Sequence, residues 1–290
     1  MEPYEKILVP VHFSSDESPG TITRDSQDAL EQARVLAGEL GGQLTLAHVF
    51  AGLDHVGDSS DDGDLPAIEQ ALDAWIAAAA EQAVRADREL LFGAPADEIV
   101  RCAETEGFDL VLMGTRRKRG RAGSLVGSTA ARVILQSTVP VWVAKHHGIQ
   151  HRKVVVGTDL GDGCDPVIAH ALHLAHWRGA ELHVVHACDH ALASGPDSVP
   201  ALEQELRERR IRLEAQMARV LEAERSSPRY VAHVAFGSPE SILWTVARTV
   251  AADVAVVGFT GRTATERLCR GNTAEQVLSE LPCSLLTVRP

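Results

Sequence analysis

The sequence has no apolar run near the roughly 18–20 residues that a membrane-spanning helix requires. Its start, Met1-Glu2-Pro3-Tyr4-Glu5, is acidic rather than basic and then apolar, unlike a secretory leader. Cysteine is sparse: there are five, an odd number, and no two form a CxxC pair. That pattern excludes a disulfide framework and a thiolate zinc site, and leaves reduced, buried thiols as the expectation. Positive charge is also in deficit. Lys and Arg number 28 against 40 Asp and Glu, for a net charge of −12 with His neutral. Such a surface repels nucleic acid and anionic lipid, so neither is expected as a partner. A cytoplasmic location follows as an expectation. Catalytic signatures are missing too. There is no G-x-S-x-G elbow, no Walker A loop, and no Ser-Gly-Gly-x-Asp-Ser stretch after Val9. No acid/base pair or Cys–His set stands out, so no catalytic residue and no metal ligand is assigned.

What is present is a 290-residue chain of globular composition, 45% hydrophobic and 23% charged. At about 100–200 residues per domain, two domains are expected. An internal repeat says the same. Lys6-Ile7-Leu8-Val9-Pro10-Val11 resembles Lys153-Val154-Val155-Val156-Gly157-Thr158, and Leu44-Thr45-Leu46-Ala47-His48-Val49 resembles Leu182-His183-Val184-Val185-His186-Ala187. Further along the offset is constant at 144: Gly93-Ala94-Pro95 with Gly237-Ser238-Pro239, Asp109 with Asp253, Gly114 with Gly258, Gly127 with Gly271. The reading is two homologous domains, 1–147 and 148–290, joined near His147-Gly148-Ile149-Gln150.

Each half alternates strand and helix patterns. In the first, Ile7–Val11 is a short apolar run of the kind buried in parallel sheets. Ala29, Leu30, Ala33, Leu36, Ala37 and Leu40 recur at helical spacing. Leu44–Phe50 is the second strand, Ile68–Ala83 an Ala-rich helix, and Glu89–Phe92 a weak third strand. Pro95–Glu106 opens with Pro and acids, as a helix start should. Leu110–Met113 is the fourth strand, Ser128–Gln136 a helix and Val139–Ala144 the fifth strand. The second half repeats this order from Val154 to Val288. The fold class predicted is α/β: two tandem doubly wound, five-stranded parallel sheets flanked by helices, Rossmann-like and related by a pseudo-two-fold. Right-handed crossovers place any ligand at the C-terminal edge of the strands.

One loop type carries chemistry. Val254–Val257 runs into Gly258-Phe259-Thr260-Gly261; nine residues later Gly271-Asn272-Thr273-Ala274-Glu275 opens a helix. Glycines after a strand admit positive φ and close approach of backbone N–H groups, and a helix N-terminus adds free donors. Together they suit a phosphate without any need for a basic protein. Asn272 with Glu275 also fits a plain helix cap. In the first half Gly114-Thr115-Arg116-Arg117 and Gly127-Ser128-Thr129 keep the outer glycines, but Arg117 replaces the inner one. Arg116, Arg117, Lys118, Arg119 and Arg121 make that loop cationic, fit either to clamp a polyphosphate or to sit in solvent.

These residues resemble the universal stress proteins in their tandem, two-domain form, over nearly the whole chain. The family motif is G-x2-G-x9-G-[S/T] after a strand ending in Met-Gly or Val-Gly. Gly271-Asn272-Thr273-Ala274-Glu275-Gln276-Val277-Leu278 is similar to the E-type tandem members. The resemblance implies an adenine nucleotide ligand, ATP or ADP or AMP with Mg as a candidate companion, and pairing through the last strand. Residue by residue it implies that Asp159 lies near ribose and adenine beside Gly157 and Thr158, and that Ala187 lies against the base. It puts Val257 at the end of the fourth strand, Gly258 and Gly261 in the loop after it, and Gly271, Asn272 and Thr273 at the phosphate. In the first half the matching positions are Pro10, Val11, His12, Val49, Met113, Gly114, Gly127, Ser128 and Thr129, with His12 in place of the acid. The second half keeps the acid and all three glycines, and is preferred.

Other constellations are weaker. Asp58 to Glu69 formally fits a calcium loop, but a strand precedes it and Pro66 takes position 9. His170, His173 and His176 are spaced by three on a helix whose apolar face is Ile168, Ala171, Leu172 and Ala175. His146, His147 and His151 cluster at the junction. Pro140–Ala144 and Ser284–Arg289 would be exposed edges in isolated domains, so the halves are expected to pair there as an intramolecular pseudo-dimer, with Trp142 and Leu286 near the seam; a homodimer is a further expectation. Function is thus read as a nucleotide-binding stress regulator acting on a protein partner of unknown identity, without committed catalysis. The alternatives are a scaffold with degenerate pockets, and an ATP-consuming enzyme.

Overall fold

In the computed structural model the described residues are 4–14, 17–51, 65–115, 128–145, 152–188, 199–225, 229–258 and 282–289. They fall into two compact units, residues 2–146 and 147–290.

The first unit runs β1 (Lys6–Pro10), α1 (Arg24–Leu40), β2 (Gln43–Phe50), α2 (Leu65–Ala80), β3 (Arg85–Phe92), α3 (Pro95–Thr105), β4 (Leu110–Gly114), α4 (Ser128–Gln136) and β5 (Val141–Ala144). Its strands are parallel in the order β3-β2-β1-β4-β5. The second runs β6 (Lys153–Gly157), a turn of 3₁₀ helix (Asp162–Cys164), α5 (Asp165–Arg178), β7 (Glu181–Cys188), α6 (Val199–Ala223), β8 (Tyr230–Phe236), α7 (Pro239–Val250), β9 (Val254–Gly258) and β10 (Ser284–Val288). Here the parallel order is β8-β7-β6-β9-β10. In each unit the chain starts in the middle strand, winds outward on one side, then crosses back. This is the doubly wound arrangement that the alternating pattern predicts.

The central strands are apolar on both faces because helices cover both. Ile7, Leu8, Val9, Val154, Val155 and Val156 are fully buried. The repeat marks acquire structural reasons. Gly93 (φ 136°) and Gly237 (φ 147°) make the turn from third strand to third helix in a region that favours glycine, and Pro95 and Pro239 then start the helices. Asp109 Oδ2 accepts the Glu5 and Lys6 N–H groups at 3.0 and 2.8 Å; Asp253 Oδ2 accepts those of Arg152 and Lys153 at 2.7 and 2.9 Å. Each aspartate thus ties the entry of the middle strand to its neighbour.

Several boundaries shift by one to four residues from expectation, the fifth strand starting at Val141 and the second helix at Leu65, and two of the shifts have a visible cause. The second helix ends at Ala80 rather than Ala83, because Ala83 turns left-handed (φ 59°) and Val84 N–H bonds back to Ala79 O. The third strand begins at Arg85, four residues before the expected Glu89. It is an outer strand within its unit with alternating exposure. Its Arg88 bridges Glu69 and Asp73 of α2 at 2.8 and 2.9 Å, so a polar strand pairs with β2 along its full length. Trp142 is buried and donates to Gln32 of α1 at 2.9 Å.

Candidate functional site

In the second unit β6 lies between β7 and β9. That topology gathers the C-terminal ends of three strands: Gly157 at the end of β6 with Thr158 and Asp159 just after it, Ala187 in β7, Val257 and Gly258 in β9. The first unit repeats the arrangement around β1, with Pro10, Val11 and His12, Val49 of β2, and Met113 and Gly114 of β4. Thr129 lies in the first turn of α4, which Ser128 opens. Gly127, Gly261, Gly271, Asn272 and Thr273 lie outside the described residues, as do the cationic stretch 116–121, the acidic segment 58–64, and His146, His147 and His151.

The loop after β6 is tightly held. Thr158 is buried; its hydroxyl donates to Gln216 Oε1 at 2.8 Å and accepts the Leu160 N–H at 3.0 Å. Leu160 is left-handed (φ 66°). Asp159 is exposed, yet its Oδ1 accepts the Gly161 N–H at 2.8 Å and the Cys164 thiol at 3.0 Å. Burial pushes the Cys164 thiol up to about 11, so it stays protonated and can donate. Helix α6 grips the same loop. Gln216 Nε2 donates to Gly161 O at 3.0 Å and Asp165 Oδ1 at 2.8 Å, while Arg219 binds Asp162 and Asp165.

The first unit builds a longer excursion between β1 and α1. Phe13 and Ile22 form an antiparallel bridge, and Ser14 N–H bonds Thr21 O at 2.8 Å. His12 stands exposed; its N–H donates to Ser26 Oγ at 2.9 Å and its carbonyl accepts from Thr23.

One expectation needs correction. Neither Gly114 nor Gly258 has positive φ. Each is glycine because a helix approaches it: a Cβ on Gly114 would lie 2.2 Å from Asp25 O of α1, and one on Gly258 2.8 Å from Val167 of α5. At Gly157 a Cβ would meet only Leu243, at an ordinary 3.7 Å. Helix packing is by itself a reason for glycine at both loop-leading positions.

Residues the sequence reading passed over also meet here. Gln216 and Arg219 gave no signal, being two polar residues in a highly charged helix. His48 and His186 did give one, since they match across the repeat. Their Nδ1 atoms lie 2.9 Å from Val11 O and 3.0 Å from Thr158 O. On α5, His173 Nε2 meets Glu224 at 2.7 Å and His176 is exposed. Among the described residues no group of three or more His, Cys, Asp or Glu could hold a metal ion, and no helix is long and apolar enough to cross a membrane. Cys102, Cys164, Cys188 and Cys283 are buried thiols outside any disulfide.

The chain is 46% identical over 67 residues to universal stress protein MJ0531 of Methanocaldococcus jannaschii, covering 23% of this chain and 39% of that one. It is 41% identical over 58 residues to the universal stress protein E homolog of Haemophilus influenzae, covering 20% and 19%. These matches thus span a fifth to two fifths of the relatives' lengths. In solved structures, a universal stress protein from Archaeoglobus fulgidus superposes with a TM-score of 0.70 at 20% identity, covering 99% of this chain and 97% of that one, a likeness of fold. The model of the universal stress protein family matches residues 3–145 and again 150–289. With two copies of that domain spanning nearly its whole length, the chain belongs to the universal stress protein family.

Proposed function

We propose that the chain binds an adenine nucleotide, ATP foremost, at the C-terminal edge of the sheet in its second domain, and acts as a stress-response regulator whose affinity for a protein partner depends on the bound nucleotide. The domains are taken as 1–147 and 148–290. The observation that carries the reading is the convergence of Gly157–Asp159, Ala187 and Val257–Gly258 on three adjacent strand ends. Doubly wound sheets bind ligands in the crevice beside their middle strand. Asp159 has one oxygen committed to its own loop, and Oδ2 of this exposed residue would accept a ribose hydroxyl. Gly261 with Gly271, Asn272 and Thr273 would take the phosphates. Mg would enter through the phosphates, since the described residues supply no metal cluster of their own. The first domain, with His12 in place of the acid, is the lesser candidate.

The test is to denature freshly purified protein and identify released small molecules by mass spectrometry. About one equivalent of ATP, ADP or AMP per chain is expected. Saturating ATP at about 100 times Kd should add roughly 2.7 kcal/mol, readable as a melting shift. Neither release nor shift would favour the second reading, a scaffold with degenerate pockets. The existing bonds of Asp159 Oδ1 to Gly161 and Cys164 support that reading, because the loop is complete without a ligand.

A further inference from the structure

His48 and His186 each stand two residues before the end of the second strand of their unit. Each directs Nδ1 at the carbonyl of the residue that follows the middle strand: Val11 at 2.9 Å, Thr158 at 3.0 Å. A carbonyl only accepts, so Nδ1 carries the proton in both rings. The same two residues still donate their own N–H groups to the second strand, Val11 to Ala47 O at 2.7 Å and Thr158 to Val185 O at 2.9 Å. The ring therefore fixes the last carbonyl before the backbone leaves the sheet. The next residue is His12 in one unit and Asp159 in the other.

Packing alone does not account for histidine here. His186 is 5% exposed, and its Nε2 is buried with no hydrogen-bond partner among the described residues. An apolar side chain would fill the space without stranding an acceptor. His48 is held edge-on between Phe13 and Phe50, at centroid distances of 5.0 and 4.7 Å. What the two environments share is the Nδ1 bond. At Thr158 it completes a set, because the hydroxyl and the N–H are fixed as well. With every polar group of Thr158 engaged, the direction in which Asp159 departs has little freedom.

We propose that His186, and His48 in the first unit, are positioning residues for the ligand site, clamping the carbonyl that precedes the ligand-facing residue and so aiming that residue at the crevice. The proposal rests on the nucleotide reading for its consequence, though not for the clamp itself. Asparagine can place an N–H near the position of Nδ1; glutamine reaches further, toward that of Nε2; phenylalanine keeps volume without a donor.

Titration of the full chain with ATP should give a Kd raised roughly tenfold in His186→Phe, as in His186→Gln, and restored to within about threefold in His186→Asn. A merely structural ring would show no such rescue. Wild-type affinity in His186→Phe, or equal loss in His186→Asn and His186→Phe, overturns the proposal. Hydrogen exchange at the Leu160 and Gly161 amides reads the clamp without nucleotide. Faster exchange in His186→Phe with recovery in His186→Asn is expected, and unchanged exchange overturns the clamp. Should the wild type bind no ATP while exchange responds in this way, the nucleotide reading fails and the aiming role fails with it, while the clamp stands. If His186→Phe does not fold, 15N imidazole spectra of the wild type decide the clamp: Nδ1–H tautomers for His48 and His186 are expected, and Nε2–H tautomers overturn it.

Discussion

The Cys164 thiol donates to Oδ1 of Asp159 across 3.0 Å, and the same oxygen takes the Gly161 N–H. The acid proposed to face a ribose is therefore already part of its own loop, with one oxygen serving structure and the other left for the proposed ligand. Asp159→Asn should raise the Kd for ATP about tenfold or more, because an amide is a weaker acceptor than a carboxylate. Cys164→Ala removes only a weak donor and should leave the Kd within about threefold. Calorimetric titration of both variants checks the pair, and equal effects would argue that the loop as a whole matters rather than the carboxylate.

The strand-end glycines should separate by their surroundings. Gly114→Ala drives a Cβ against the Asp25 carbonyl, a backbone atom that cannot swing away, and should cost about 1–3 kcal/mol. Gly258→Ala meets a methyl of Val167 at 2.8 Å, a less severe overlap than that at Gly114, and should cost less. Gly157→Ala finds ordinary contact distance and should stay within about 0.5 kcal/mol. Urea melts give the order directly.

Asp109 and Asp253 hold the middle strands at the end opposite the proposed ligand. Asp253→Ala should cost about 1–2 kcal/mol, since two backbone N–H groups lose a charged acceptor. Its ATP affinity should be unchanged. A loss of affinity without a loss of stability would contradict a structural role.

Acid should weaken the second unit. Burial, then His173, push His170 down to about 4, with Glu224 opposing. Burial likewise lowers His183, His186 and His233. His183 and His233 face each other at 3.0 Å, and Glu181, Lys153 and Arg210 complete the charges around them. The folded rings stay neutral while the unfolded chain binds protons near pH 6.5, so the unfolded state is favoured as pH falls. Stability is full above about pH 6.5. It is lost progressively down to about 4, the value for His170. For His170 alone the loss approaches about 3 kcal/mol. Melting curves between pH 7.5 and 4.5 should show it, and His170→Leu should flatten the slope.

Much of this was legible from residue order. Lys6–Val11 and Lys153–Thr158, the Gly-x-Pro turns and the paired aspartates marked two copies of one domain, because each signal is local and repeats at a near-constant offset. The polar start of β3 was not legible. Arg85 to Arg88 carry no apolar strand pattern, and only the fold brings Glu69 and Asp73 of α2 against Arg88. Nor did the sequence distinguish a glycine that admits a ligand from one that admits a helix.

The sequence by itself determined the parallel, doubly wound order of both units. Apolar periodicity selects strand or helix within a few residues, and the handedness of crossovers then leaves few topologies. Only the tertiary structure decided what the strand ends do. Gly114 answers to Asp25, Thr158 to His186 and Gln216, and Asp159 to Cys164. Such contacts join groups that are distant along the chain, or that face one another only once a loop has turned, and their distances are set by how helices seat on the sheet.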